Sequence, residues 1–313
     1  MEILSATSIT KRFANHTALR KVDIGVPEGS IYGLLGPNGA GKTTFIRIIT
    51  QIIAPDEGEI FIEGHRLAPE HTHLIGYLPE ERGLYKKMKV GEQALYLARL
   101  KGLEKYDALT RLRKWFERFD IQMWWNRKVE ELSKGMQQKV QFMITVVHEP
   151  RLVIFDEPFS GFDPININII KEEILRLRDN GSTIIFSTHN MASVEELCTH
   201  IALINKAEKI LEGSVKEIKN QYKSNAWEII YDDAKDQIST ILKEGFELLS
   251  HTRDDNMHTA TIRIPAKTSP NELLEGLLPY IRILGFNEIL PSINDIFISK
   301  VSEDTQRINP QTA

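Results

Sequence analysis

The chain has 313 residues, 42% of them hydrophobic and 26% charged, with a net charge of −4, which is an ordinary globular composition with room for one large and one small domain. A net negative charge argues against a general nucleic-acid binder, and the single cysteine, Cys198, rules out an intramolecular disulfide and suits a reducing cytoplasm. No apolar run approaches the roughly 20 residues of a membrane span, and Met1–Ser5 lacks the charged and apolar regions of a signal peptide, so any work at a membrane goes through a partner.

In chain order, Ile3, Thr7 and Ile9, then Val22, Ile24 and Val26, alternate with polar residues, the period of half-buried strands. Turns fall at Asn15-His16 and Pro27-Glu28-Gly29. Ile31-Tyr32-Gly33-Leu34-Leu35 reads as a buried strand. Phe45 to Ile49 opens a helix running to about residue 53, followed by a turn at Asp56-Glu57-Gly58-Glu59 and a short strand, Ile60-Phe61-Ile62. Residues 91–145 read as helices, with Leu95, Leu97 and Leu100, and later Leu112, Trp115, Phe116 and Phe119, at helical spacing. Leu152–Phe155 and Ser182–Ser187 are short apolar runs typical of a parallel sheet covered on both faces. A helix from Ile167 to Arg178 separates them, giving a β-α-β order. Ile201–Ile204 and Lys209–Gly213 form a closing hairpin, and Cys198 sits in an apolar helical pattern as a small core residue. A boundary near residue 218 divides a domain of residues 1–218 from one of 219–300. There the pattern restarts as strand (Trp227–Tyr231), helix (Asp233–Lys243), strands (Phe246–His251, Thr259–Ile264), helix (Glu272–Ile281) and strand (Phe286–Leu290). That β-α-β-β-α-β order suggests a small α+β ferredoxin-like unit, and residues 301–313 form a polar tail that frays.

Between the first buried strand and its helix lies Gly36-Pro37-Asn38-Gly39-Ala40-Gly41-Lys42-Thr43-Thr44, which fits the phosphate-binding pattern G-x-x-x-x-G-K-[ST]. Gly36, Gly39 and Gly41 let the backbone bend so that successive N–H groups point at phosphate oxygens, and the helix N-terminus behind them adds a favourable dipole. Lys42 then reaches the β- and γ-phosphates and the Thr43 hydroxyl holds Mg²⁺. A Gly-rich turn with a surface lysine is the plainer reading, and the strand–loop–helix context weighs against it. Downstream, Arg151-Leu152-Val153-Ile154-Phe155-Asp156-Glu157-Pro158 is an apolar strand ending in two acids. Asp156 at such a strand tip can hold Mg²⁺, and Glu157 can orient or deprotonate the attacking water. Paired acids are often solvated surface, but here they follow four apolar residues. In Leu132-Ser133-Lys134-Gly135-Met136, Ser133 and Gly135 open a new helix, a helix cap when read alone and a second phosphate site when read with the first loop. Ser187-Thr188-His189-Asn190 brings His189 toward the same face, and Ser160-Gly161-Phe162-Asp163 places Asp163 at an interface.

Together these segments resemble the ATP-binding subunits of ABC transporters: Gly36–Thr43 matches Walker A, Leu132–Met136 the LSGGQ signature, Leu152–Glu157 Walker B, Ser160–Asp163 the D-loop and His189 the switch histidine. The resemblance covers about residues 1–218. It implies a P-loop NTPase α/β fold with an N-terminal antiparallel β subdomain and a helical subdomain, and hydrolysis of ATP with Mg²⁺. It implies Glu157, His189 and Lys42 as catalytic residues. It further implies a head-to-tail homodimer, with each ATP between the Walker motifs of one copy and Ser133, Gly135 and Asp163 of the other. A separate membrane permease and a peripheral place on the cytoplasmic face of the cell membrane complete the expectation, with no nucleic-acid partner.

Three departures from the family pattern stand out. Glu80, in Ile75-Gly76-Tyr77-Leu78-Pro79-Glu80-Glu81-Arg82-Gly83, aligns with the usual Q-loop glutamine; a carboxylate there can still ligate Mg²⁺ and keep the coupling role. The signature reads Ser-Lys-Gly-Met, retaining Ser133 and Gly135. Phe13, after Lys11-Arg12, aligns with the aromatic that stacks on adenine; a ring without a hydroxyl can stack, and it can equally be a core residue. The Tyr77–Val90 stretch resembles the NatA-like sodium-export branch, as does Pro291–Phe297, and that branch also carries a small C-terminal domain. Trp115 reads as core; Trp124 and Trp125 are adjacent and cannot both face one helix side. Lys86-Lys87-Met88-Lys89 is a solvated face or a contact with the permease or lipid headgroups. Export through a permease competes with an import-type subunit and with a soluble ABC ATPase acting without a permease. Ribosomal members of the latter kind carry two ATP-binding domains, and chromosomal ones need a long coiled coil that Thr44–Glu131 lacks.

Overall fold

The computed structural model describes residues 1–308 except 82, 161, 233–237 and 256, and only the backbone at 305–308. Its residues divide into two compact units, Met1–Val215 together with the chain from Lys300, and Lys216–Ser299.

In the first unit, β1 (Glu2–Phe13) and β2 (His16–Pro27) form an antiparallel hairpin. They are joined by β4 (Glu57–Ile62) and β5 (His65–Arg66) in a sheet ordered β2-β1-β4-β5. The alternation read from the sequence becomes burial of Ile9, Val22, Ile24 and Val26. The expected turn at Asp56–Glu59 is mostly strand, because Thr7 pairs with Glu59 and Thr10 with Glu57 across β1. A partner strand far away in sequence satisfies the backbone there and overrides the local turn chemistry. Between β2 and β4 lie β3 (Ile31–Leu35) and α1 (Lys42–Ile49); this helix ends before residue 53.

A second sheet runs β10-β9-β3-β8-β7-β6, with β6 (Ile75–Leu78), β7 (Leu152–Asp156), β8 (Thr183–Ser187), β9 (His200–Asn205) and β10 (Glu208–Ser214). Every pair is parallel except the closing β9–β10 hairpin. All residues of β3, β7 and β8 are buried, as expected of strands covered on both faces. The helices are α2 (Val90–Leu100), α3 (Lys105–Arg118), α4 (Lys134–Val146), α5 (Pro164–Asp179) and α6 (Met191–Leu197). Cys198 is not within α6 but caps its C-terminus; it is buried, and burial pushes its thiol up to about 12. Trp115 is half-buried and packs on Phe119 and Phe142. Trp125 lies 5.0 Å from Phe116 by ring centroid and over Gly91, whose missing Cβ would fall 2.3 Å from its ring. The Lys86, Lys87 and Lys89 side chains are solvent-exposed.

In the second unit, α7 (Val215–Gln221) leads into a four-stranded antiparallel sheet ordered β12-β13-β11-β14. Its strands are β11 (Ala226–Asp232), β12 (Glu247–Asp254), β13 (Met257–Arg263) and β14 (Arg282–Ile289). Of the helix expected over Asp233–Lys243, the described part is α8 (Ile238–Ile241), and residues 233–237 lie outside the described residues. The second helix, α9 (Pro270–Leu277), starts at a Ser269–Glu272 capping box, which satisfies two otherwise unpaired N–H groups. Ile229, Tyr231, Ala260, Ile262, Leu273 and Leu277 form its core. The polar tail does not fray at Glu303: α10 runs Ile293–Ile308, and the Asn205 side chain donates to Asp304 at 2.6 Å.

Candidate functional site

Four neighbouring parallel strands, β3, β8, β7 and β6, end on the same edge of the sheet. Leu34 pairs with Ser187, Ser187 with Asp156, and Phe155 with Leu78. The loops that follow carry Gly36–Thr44, His189, Glu157 and Glu80. Ligands of open α/β sheets bind in the crevice beyond such carboxyl ends.

The phosphate loop needs its glycines at two close approaches. Gly36 has φ +150° and a Cβ there would sit 2.2 Å from the Ile204 carbonyl oxygen; Gly41 has φ +119° and a Cβ would sit 2.4 Å from that of Ala18. Both conformations are ones L side chains rarely adopt. Pro37 and Ala40 close the loop, the Ala40 N–H donating to the Pro37 carbonyl at 3.2 Å. The Lys42 ammonium is buried and donates to the carbonyls of Gly36 at 2.7 Å and Pro37 at 3.1 Å. Burial holds it below the usual lysine value, while Glu157, Asp156 and Glu80 pull it back up.

Asp156, at the tip of β7, is 3% exposed. Burial raises its carboxyl above the usual carboxylate range, and the nearby Glu80 and Glu157 charges add to the rise. The Thr43 hydroxyl donates to its Oδ2 at 3.4 Å. Glu157 takes a left-handed backbone, φ 49°, uncommon for a residue with a Cβ and a mark of a position held by its surroundings. Its N–H donates to the Ser187 carbonyl at 2.9 Å. Its Oε2 accepts from the Thr188 hydroxyl at 3.2 Å, and Oε1 accepts from the His189 N–H at 3.0 Å and lies 2.7 Å from His189 Nδ1. The carboxylate is therefore aimed by three groups of the turn after β8, while the His189 side chain stays 77% exposed.

A cleft of about 480 Å³ is lined by Asn38, Gly39, Gly41, Lys42, Thr43, Thr44, Glu80, Asp156, Glu157 and His189, with Phe13 at one side. Phe13 is 43% exposed and Lys11 Nζ lies 5.5 Å from its ring centroid, so it is a surface aromatic rather than a core residue. His16, Ala18 and Ser187 also line the cleft and were not singled out from the sequence. Their signal was positional: His16 pairs with Phe13 across the β1–β2 turn. Ser133, Gly135 and Asp163 do not line this cleft. Ser133 caps α4, its hydroxyl accepting from the Met136 N–H at 3.3 Å, and is solvent-exposed. Asp163 caps α5, accepting from the N–H groups of Ile165 and Asn166 at 3.1 Å. Arg82 and Gly161 lie outside the described residues.

Thr43, Asp156 and Glu80 therefore bring side-chain oxygens to one cleft, beside the loop that carries Gly36–Thr44. A family model described as ABC transporter matches residues 19–160, and one described as ATP-binding protein DrrA1-3-like, C-terminal domain, matches residues 213–301. The "Uncharacterized ABC transporter ATP-binding protein YhaQ" of Bacillus subtilis is 42% identical over 96% of this chain and 98% of its own length. The ABC transporter ATP-binding protein NatA of Bacillus subtilis is 33% identical over 73% of this chain and 96% of its own. A solved structure of the ATP binding subunit of an ABC transporter superposes with a TM-score of 0.66 at 30% identity, covering 70% of this chain and 93% of that one.

Proposed function

This chain belongs to the family of ABC transporter ATP-binding subunits, which hydrolyse ATP to drive transport, and on that footing we propose that it powers export through a separate membrane permease. The observation that carries the hydrolytic part is the aimed carboxylate: Glu157 is held by Thr188 and His189 in a cleft that the phosphate loop also lines. In this reading Lys42 leaves the Gly36 and Pro37 carbonyls for the β- and γ-phosphates of ATP, and the adjoining amides of the loop hold the remaining phosphate oxygens. Glu157 orients the attacking water and takes its proton. His189, at 2.7 Å from the same carboxylate, contacts the γ-phosphate. Phe13 supplies a face for the adenine.

The donors fit Mg²⁺. Asp156 is a buried carboxyl, its pKa raised by burial despite Ser187 and Lys42, and lies 3.4 Å from the Thr43 hydroxyl, and an all-oxygen set suits a hard cation. Thr43 and Asp156 would hold it, with Glu80 in the place of the usual glutamine; when bound, it neutralises charge developing on the phosphoryl oxygens.

Ser133, Gly135 and Asp163 lie outside the cleft of a single chain, and this supports a head-to-tail homodimer in which they complete the site of a second copy. The whole assembly sits on the cytoplasmic face of the membrane. Export, of Na⁺ or of a drug-like substrate, is supported by the resemblance of Tyr77–Val90 and Pro291–Phe297 to the NatA-like sodium-export branch and by the similarity to NatA. The test is to isolate the membrane protein that co-purifies with the chain and reconstitute both in vesicles. ATP added on the face bearing this chain should drive substrate away from that face; uptake toward it would establish an importer, and ATP turnover with no binding membrane protein would establish a permease-independent ATPase.

A further inference from the structure

The helix that begins at the proposed signature carries a buried polar stripe. In α4, Gln138, Gln141 and Thr145 are 2%, 6% and 7% exposed, and their i, i+3, i+7 spacing puts them on one face. Val140, Phe142, Met143 and Val146 of the same helix are buried apolar residues, and apolar residues on that stripe too would pack without any need for partners. The two glutamine side chains instead each reach a backbone carbonyl of a segment that ends in the ATP cleft. Gln138 Nε2 donates to Pro158 at 3.4 Å and Gln141 Nε2 to Glu81 at 3.5 Å, while the Thr145 hydroxyl donates to the Gln141 carbonyl of its own helix at 2.9 Å. Pro158 directly follows Glu157, and Glu81 directly follows Glu80. In the first turn of the helix, beside Gln138, Gln137 Nε2 donates to the carbonyls of Leu132 at 2.9 Å and Val129 at 3.2 Å, so the turn bearing Ser133 is tied to the helix it starts.

We propose that Gln138 and Gln141 are positioning residues that make α4 a link between Ser133 at its N-terminus and the two acidic loops, setting Glu157 and Glu80 according to where Ser133 is held. This rests on the reading that Ser133 meets the ATP of a second copy. Neither glutamine lines the cleft, so their effect falls on assembly and turnover and not on nucleotide binding by one chain. The contacts lie at the long end of the hydrogen-bond range, which makes them links that a small shift of either loop strengthens or breaks.

The test uses the full chain carrying E157Q, in which bound ATP persists, with and without Q138M and Q141M; methionine keeps the volume and removes the donor. Sedimentation velocity with MgATP measures dimerisation, and titration with a fluorescent ATP analogue measures binding to the monomer. The double methionine variant is expected to weaken ATP-dependent dimerisation by about 10-fold or more, the scale of a coupling between sites, while the ATP Kd moves less than about twofold. With Glu157 intact, kcat falls by about the same factor and KM stays. Dimerisation within about twofold of the E157Q parent, or an ATP Kd that weakens as much as dimerisation does, overturns the inference. If the double variant lacks a cooperative melt, Q141M alone, the longer contact, is held to the same criterion. An E157Q parent that stays monomeric with MgATP refutes the dimer itself, and the inference with it.

Discussion

Glu157→Gln isolates the chemical role of one proton acceptor. The side chain accepts from the Thr188 hydroxyl, the His189 N–H and, at 2.7 Å, meets His189 Nδ1. A glutamine retains Oε1 as the acceptor for the His189 N–H, and the Thr188 hydroxyl can rotate to accept from the new Nε2. All three contacts can be kept, the two to His189 without the carboxylate charge, so the cost in stability is at most about 1 kcal/mol, the net worth of one hydrogen bond. The loss in chemistry is much larger. A positioned general base is worth about 10²–10⁴ in rate, or about 3–5 kcal/mol of barrier. ATP affinity is expected to stay near that of the parent chain, because Lys42 and the loop amides are untouched. Phosphate release at saturating MgATP reads the rate, and isothermal titration reads the binding. Turnover within about threefold of wild type, with a cooperative melt, would falsify the assignment of Glu157 as base.

Lys42→Ala removes a charged donor from the loop and should weaken ATP binding by about 10- to 100-fold, the worth of one charge-assisted bond; wild-type affinity by titration would contradict its role. Gly36→Ala drives a methyl to 2.2 Å from a backbone oxygen at φ +150°, and strain with overpacking should cost about 2–5 kcal/mol in urea unfolding. Asp156→Asn should raise the Tm of the nucleotide-free protein at pH 7 while abolishing Mg²⁺-dependent turnover. The folded Asp156 pKa lies above the unfolded one, so the native state binds more protons and stability falls as pH rises through that window. The advantage of the asparagine variant therefore shrinks as pH is lowered toward about 4, the unfolded aspartate value. An advantage that grows on acidification would show the opposite sign.

Much of the fold was legible because its signals are local. The period-2 alternation of β1 and β2, the apolar runs of β7 and β8 and the helical spacing in α2–α4 are all set within a few residues. The misreadings share one cause, a partner distant in sequence. Residues 57–59 carry turn chemistry yet pair with β1. The short Ile75–Leu78 stretch carries no strand signal of its own in the sequence reading, and it is a strand because β7 lies beside it. Asp304 sits in a polar tail that is helical beside Asn205. Phe13 read equally as core or as a stacking face, and its exposure at the cleft edge favours the latter.

The sequence by itself determined that this chain has a phosphate loop, two acids at a strand tip and a second helix start fit for an anion, since each depends on residue types at fixed short spacing. Only the tertiary structure decided which of them share a cleft. The parallel sheet lays β3, β8, β7 and β6 side by side, and so brings His189 to 2.7 Å from a carboxylate 32 residues away while leaving Ser133 outside. Strand order is a property of long-range hydrogen bonding and of burial on both faces, and no short stretch of sequence contains it.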